Sequence, residues 1–280
     1  MTAHPYRSAL YIPGSKPRAL DKARTLPTDA ILFDLEDAVA PEVKAEARDT
    51  LAAALAQGGY GARRRIVRIN GLDTPWGEAD AKAVSVLDCD AVLLPKVGGP
   101  QDIEALAALC PGLPIWAMME TPRGVLNAAA IADHPAVEGF VMGTNDLAKD
   151  LGSQSRAALA TALQQCLLAA RAAGIVALDG VYNAFQDDEG LRAECAEGRA
   201  LGFDGKTLIH PAQLAIANAA FGPSEAEIDL ARRQIAAFEA AEAEGQGVAV
   251  LDGRIVENLH VVTARATLAK ADAIAALETP

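Results

Sequence analysis

The stretch "PIWAMMETPRG", residues 114 to 124, decides how this chain is read. Ile115 to Met119 form an apolar run with the length and composition of a buried strand, and the run stops abruptly at Glu120, before a Thr-Pro turn and an Arg-Gly pair. Seven further runs of this kind flank it: "SALYIPG" (8 to 14), "AILFDLED" (30 to 37), "RIVRIN" (65 to 70), "AVLLPKV" (91 to 97), "GFVMGTND" (139 to 146), "IVALDGV" (175 to 181) and "KTLIHP" (206 to 211). With "PIWAMMET" (114 to 121) they make eight.

Ala-rich amphipathic segments separate the runs. In "PEVKAEARDTLAAALAQG" (41 to 58), Pro41 suits a first helical turn, Glu42 complements the N-terminal dipole and Gly58 offers an exit. Helices are expected also at about 17–25, 77–87, 101–109, 123–132, 155–173, 188–201 and 212–220. Strand then helix, eight times over, predicts an α/β chain with a (β/α)8 TIM barrel, because parallel strands need crossover helices and closure removes the sheet edges. A doubly wound open sheet is the alternative.

The barrel is expected to occupy residues 1–221, and residues 222–280 a C-terminal helical extension. There "PSEAEIDLARRQIAAFEAAEAEGQG" (223 to 247) predicts one helix with Ser224 as N-cap. An extended piece (248 to 257) and a last helix (258 to 277) follow. So small a tail must bury its apolar side on the barrel or on a neighbouring subunit, which points to an oligomer.

Composition narrows the class. The 280 residues are 51% hydrophobic and carry a net charge of −12, which suits a large core and argues against nucleic acid or an anionic membrane as partner. The opening residues lack the apolar stretch of a signal peptide and no apolar run nears the roughly 20 residues that span a bilayer, so a cytoplasmic location is expected. The four cysteines form no CxxC pair and the four histidines no HExxH, so structural zinc and disulfides are not expected.

In a barrel the chemistry gathers where strands end. The strand ends hold Asp34, Glu36 and Asp37, then Arg68 and Asn70, Lys96, Glu120, Asn145 and Asp146, Asp179, and His210. Glu120 and Asp146 follow neighbouring strands, so their carboxylates can converge, and two acids sharing a site call for a cation. Two hard oxygen ligands suit Mg2+, with Mn2+ possible, since these ions keep waters and take further ligands from substrate. Singly, each acid could instead cap the next helix or pair with an arginine such as Arg123. Arg68 breaks an apolar alternation where its guanidinium can grip a carboxylate or an enolate oxygen, or pair with the "DLED" acids one strand away. "GFDGKT" (202 to 207) looks like the end of a phosphate-binding loop, but Ala200 replaces the required glycine and a strand follows. It is expected to be a tight turn.

Taken in order, "RSALYIPGSKPRALDKA", "DLEDAVAPEVKAEAR", "RIN", "METPRG", "GTNDL" and "IHPAQ" make the chain resemble the citrate lyase beta-subunit-like branch of the HpcH/HpaI aldolase/citrate lyase superfamily, relatives of malyl-CoA lyase. The resemblance covers residue 7 to about 270. It implies the barrel, a homotrimer or homohexamer, Glu120 and Asp146 as Mg2+ ligands, Arg68 on the substrate, and the Asn145 backbone region in a 2-oxo acid pocket. It also implies a CoA channel lined by Tyr11, Lys16, Arg18, Lys22, Ile209 and His210. Where relatives carry a catalytic Asp in the C-terminal extended piece, "DGRIVEN" places Glu257, one methylene longer.

The expected activity is cleavage of a 3-hydroxyacyl-CoA, such as malyl-CoA or citramalyl-CoA, to an acyl-CoA and a 2-oxo acid through a thioester enolate. Arg68 would steady the enolate and Glu257 return the proton. Attack of water on the thioester would make the same pocket a malyl-CoA-type thioesterase. A beta subunit acting only within a complex is a further alternative. A pyruvate aldolase working without CoA fits less well, because "DLEDAVAP" stands where those relatives carry a histidine base.

Overall fold

The computed structural model describes residues 4–278. Eight parallel strands close into a barrel in sequence order: β1 (Ser8–Pro13), β2 (Ala30–Asp34), β3 (Arg64–Arg68), β4 (Ala91–Leu94), β5 (Ile115–Met119), β6 (Val137–Met142), β7 (Val176–Asp179) and β8 (Gly205–Leu208), with β8 returning to β1. All eight expected strands are present.

Around them lie α1 (Pro17–Ala23), α2 (Lys44–Gln57), α3 (Gly77–Val84), α4 (Pro100–Leu109), α5 (Pro122–Leu126) and α6 (Ala128–Ala132). They continue with α7 (Thr144–Leu151), α8 (Ala160–Ala173), α9 (Asp188–Leu201) and α10 (Leu214–Phe221). The segment expected as one helix at 123–132 is two short ones joined at Asn127. Helix α7 is absent from the sequence expectation altogether, and it moves Asp146 off the strand end into a helical first turn.

Strand side chains alternate between the two faces of the sheet, and here both faces are covered. Ala9, Ala30, Leu32, Ile66, Ala91, Leu93, Trp116, Met118, Val141 and Leu178 fill the barrel interior. Trp116 is its largest member, fully buried, 5.2 Å from the Tyr6 ring, and it fits because Gly139 on the next strand has no Cβ to strike the indole. Truncating it to alanine would cost about 3–5 kcal/mol. Intervening residues such as Ile31, Phe33, Val67, Val92 and Phe140 are equally buried, on the helix side. That double burial explains why the strands read as continuous apolar runs.

The chain divides into two compact units, Tyr6–Ala220 and a second beginning at Phe221. The second unit contains α11 (Glu225–Ala243), the antiparallel pair β9 (Ala249–Leu251) and β10 (Arg254–Val256), and α12 (Asn258–Glu278), which packs on α11. Ser224 caps α11 with its hydroxyl, and Glu227 reaches back to the Ser224 amide at 2.7 Å. The expected extended piece is thus a hairpin. Its two-residue turn, Asp252-Gly253, takes positive φ at both positions (51° and 75°), the geometry that matches strand twist and that an Asp-Gly pair tolerates. Ala249 and Val256 turn inward with Val261 of α12, whereas the cross-strand pair Val250 and Ile255 is exposed. Among the described residues no helix is long and apolar enough to cross a membrane.

Candidate active site

The two-residue period that fills the barrel with Leu32, Ile66 and Met118 places Asp34, Arg68 and Glu120 on the same inner face, one layer nearer the C-terminal rim. All three are buried. Polar groups at this depth must find partners, and each of them does.

Asp34 and Arg68 occupy paired positions on β2 and β3. Arg68 Nε donates to Asp34 Oδ1 at 2.8 Å and Nη2 to Oδ2 at 2.6 Å, a two-pronged pair. The same carboxylate accepts the amides of Glu36 (2.9 Å) and Ala38 (3.1 Å), which folds the "DLEDA" segment back over the barrel. Lys44 fastens that turn by donating to the carbonyls of Leu35 and Glu36 at 3.1 and 2.8 Å. Glu36 Oε2 lies 2.8 Å from Arg68 Nη1 as an ion pair lacking the alignment of a hydrogen bond. Burial pushes the Glu36 carboxyl up to about 7, with Arg68 opposing the rise and Asp37, Glu120 and Asp34 adding to it. Arg68 therefore does pair with the "DLED" acids.

Tyr11 lies inside the barrel beneath this cluster, its ring centroid 4.8 Å from the Arg68 guanidinium carbon and its hydroxyl buried without a hydrogen-bond partner. It is thus set apart from Lys16, Arg18 and Lys22, which are exposed at the turn after β1 and on α1. Ile209 and His210 are exposed after β8, the neighbour of β1. His210 stacks on Phe185 with centroids 4.7 Å apart, a pairing that nothing in the sequence signals.

Glu120 and Asp146 converge. Glu120 Oε1 accepts the Lys96 amide at 2.7 Å, and the Lys96 ammonium stands 3.6 Å from that oxygen while donating to Asp146 Oδ2. Burial raises the Glu120 carboxyl above its usual range, and the Lys96 charge and amide limit the rise. Burial acts on Lys96 in the opposite sense, but the Asp146 hydrogen bond and the Glu120 charge outweigh it and hold the ammonium charged above its usual range. Gly143 makes room for the pair: a Cβ there would fall 2.4 Å from Glu120 Cβ and 2.5 Å from Oε2. That close approach is the structural reason for the glycine in "GTND". Thr121 ends β5 by accepting the Gly124 amide at 2.9 Å while its hydroxyl donates to Val97 O at 3.1 Å.

The donor set fits Mg2+. Two carboxylates already share one positive charge, and hard oxygen ligands from two side chains leave positions for water and substrate. Among the described residues no group of three or more His, Cys, Asp or Glu gathers as a metal site.

Three residues at expected strand ends serve elsewhere. Asp179 turns outward to Arg156 and Lys206, at 3.0 and 3.1 Å. Asn70 is held by Leu35 O at 2.9 Å and Asp80 at 2.6 Å. Asn145, in the first turn of α7, is exposed and exchanges hydrogen bonds with Asn183 in the loop after β7, at 2.8 and 3.3 Å. Glu257 belongs to the second unit, where it is exposed, its amide donating to His260 Nδ1 at 3.0 Å and its carbonyl accepting the amides of α12.

A parallel eight-stranded barrel with a guanidinium and two cation-binding carboxylates at the C-terminal rim is the class of architecture that supports metal-assisted chemistry on an oxygen-rich substrate. The chain matches the family described as HpcH/HpaI aldolase/citrate lyase over residues 7–211, and it belongs to that family. A (3S)-malyl-CoA thioesterase of Cereibacter sphaeroides (strain KD131 / KCTC 12085) is 66% identical over 277 residues, covering 98% of this chain and 97% of its own. An L-malyl-CoA/beta-methylmalyl-CoA lyase of Cereibacter sphaeroides (strain ATCC 17029 / ATH 2.4.9) is 33% identical over 310 aligned positions, again 98% of this chain and 97% of its own. Among solved structures, CitE from Mycobacterium tuberculosis in complex with magnesium, acetoacetate and coenzyme A superposes with a TM-score of 0.82 at 30% identity, covering 97% of this chain and 100% of the other.

Proposed function

We propose that this chain is a Mg2+-dependent hydrolase of a malyl-CoA-type thioester, with (3S)-malyl-CoA as substrate. The observation that carries the reading is the 66% identity to a (3S)-malyl-CoA thioesterase across nearly the full length of both chains. Hydrolysis adds the water oxygen to the thioester carbonyl carbon, breaks the C–S bond and releases malate, the CoA thiol and a proton.

Glu120 and Asp146 would hold the metal, which supplies charge to polarise substrate oxygens. Arg68 brings a guanidinium already fixed by Asp34 and Glu36, so little reorganisation is needed where negative charge develops on the acyl group. The exposed Lys16, Arg18 and Lys22, with Ile209 and His210 just after the neighbouring strand β8, suit a channel for the nucleotide end of CoA. The backbone at Asn145 would face the hydroxyacid end, its side chain being engaged by Asn183. The extension is read as packing on a neighbouring copy in a trimer or hexamer, where exposed Glu257 supplies a proton-transfer carboxylate.

Carbon–carbon cleavage is the second reading, supported by the 33% identity to the malyl-CoA lyase and by a buried, oriented guanidinium, the kind of group that stabilises an enolate. The two are separated by incubating the chain with Mg2+ and malyl-, citramalyl- or β-methylmalyl-CoA while following free thiol, 2-oxo acid and acyl-CoA together. Free thiol without 2-oxo acid is expected; 2-oxo acid and acyl-CoA in equal amounts would overturn hydrolysis in favour of the lyase. Glu257→Gln should lower kcat with little change in KM, and light scattering of the purified chain should give a trimer or hexamer.

A further inference from the structure

Lys96 meets Glu120 twice, through its backbone amide and its ammonium, and the same ammonium meets Asp146. Its backbone is unusual as well. With φ of 54° it is one of two non-glycine residues in the left-handed region among those described, a conformation that is unfavourable for a residue with a Cβ and persists only where surrounding contacts hold it. In that conformation the amide reaches Glu120 and the ammonium reaches both acids.

Two neighbouring carboxylates, one of them buried, repel each other unless a cation lies between them. An ammonium and a divalent ion placed between the same oxygens exclude one another. We propose that Lys96 is a tethered counter-cation for the metal site: it keeps Glu120 and Asp146 assembled before the divalent ion arrives and is displaced when the ion binds. The inference rests on the reading of this pair as the Mg2+ ligands. Interactions made only in the metal-free state oppose metal binding by the amount they stabilise that state. Lys96 thus sets the Mg2+ affinity from a position where it need not coordinate the ion.

The test is calorimetric titration with Mg2+ alone, paired with thermal unfolding in chelator and in saturating Mg2+, for the wild-type chain, Lys96→Gln, Lys96→Arg and Glu120→Gln. Lys96→Gln should tighten Mg2+ binding about threefold or more, the scale of a part-exposed ion pair, and lower Tm in chelator more than in Mg2+. Lys96→Arg, which keeps the charge, should stay near the wild-type Kd. Lys96→Asn, better tolerated in the left-handed region, replaces the glutamine variant should that one fail to fold. Equal or weaker Mg2+ binding by the neutral variants, with wild type binding and Glu120→Gln not, would overturn the counter-cation role. Wild type and Glu120→Gln binding Mg2+ alike would instead overturn the metal assignment itself.

Discussion

Arg68 and Asp34 stand directly across from each other on adjacent strands and share two hydrogen bonds of 2.8 and 2.6 Å inside the barrel. The pair is a structural tie, and it fixes the guanidinium that Glu36 also meets. Asp34→Ala removes the partner of a buried guanidinium and two amide acceptances at once, so a loss of about 3–5 kcal/mol is expected in urea unfolding. A loss under 1 kcal/mol would show that Glu36 alone can hold Arg68.

Gly143→Ala tests the close approach at Glu120. Inserting a methyl group 2.4 Å from Glu120 Cβ forces that side chain aside, at a stability cost of about 1–3 kcal/mol. Because Glu120 is the group displaced, Mg2+ affinity should fall by about tenfold or more, whereas Gly152→Ala, with nothing near its Cβ, should leave it unchanged.

Glu36 gives the pH dependence. Its carboxyl is raised by burial to about 7 from an ordinary value of 4.5, so between those values the folded state keeps a proton that the unfolded state has lost. Stability contributed by this group therefore falls as pH rises from 4.5 to 7 and is level above, and Glu36→Gln should flatten that fall in thermal scans.

Lys206 provides the contrast between stability and chemistry. Fully buried, it lies 3.1 Å from Asp179 and 2.6 Å from Glu194 of α9, on the helix side of β8. Lys206→Met should cost about 3 kcal/mol, the lower end for a broken buried pair, since Arg156 still faces Asp179 at 3.0 Å. The folded variant should keep its Mg2+ affinity and its kcat.

What the sequence discloses follows from how local each feature is. The strands are legible because burial on both faces removes the polar alternation that would obscure them. Helix α7 is not, because only Gly143 separates "FVM" from "TND", and an Asn-Asp pair reads equally well on a strand end or in a first helical turn. Lys96 stands in the sequence as one more strand-end residue; its meeting with Glu120 and Asp146 depends on barrel closure and on a backbone angle that no composition reports. Arg68 is legible as a partner of either substrate or the "DLED" acids, and the geometry shows the second. The choice between hydrolysis and carbon–carbon cleavage is hidden because, in the site proposed above, both would begin with one thioester and one set of charged residues.

The chemistry is unevenly divided along the barrel. Asp34, Glu36 and Arg68 all come from the strands β1 to β4 and their loops, whereas Glu120 and Asp146 come from β5 to β8, with Lys96 in the connection that follows β4. A chain split in that connection would part the guanidinium and its acids from the carboxylate pair, so neither fragment would carry the whole site proposed above. Turnover would then report reassembly of the two fragments, making the barrel a complementation sensor whose signal requires the two halves to close in register.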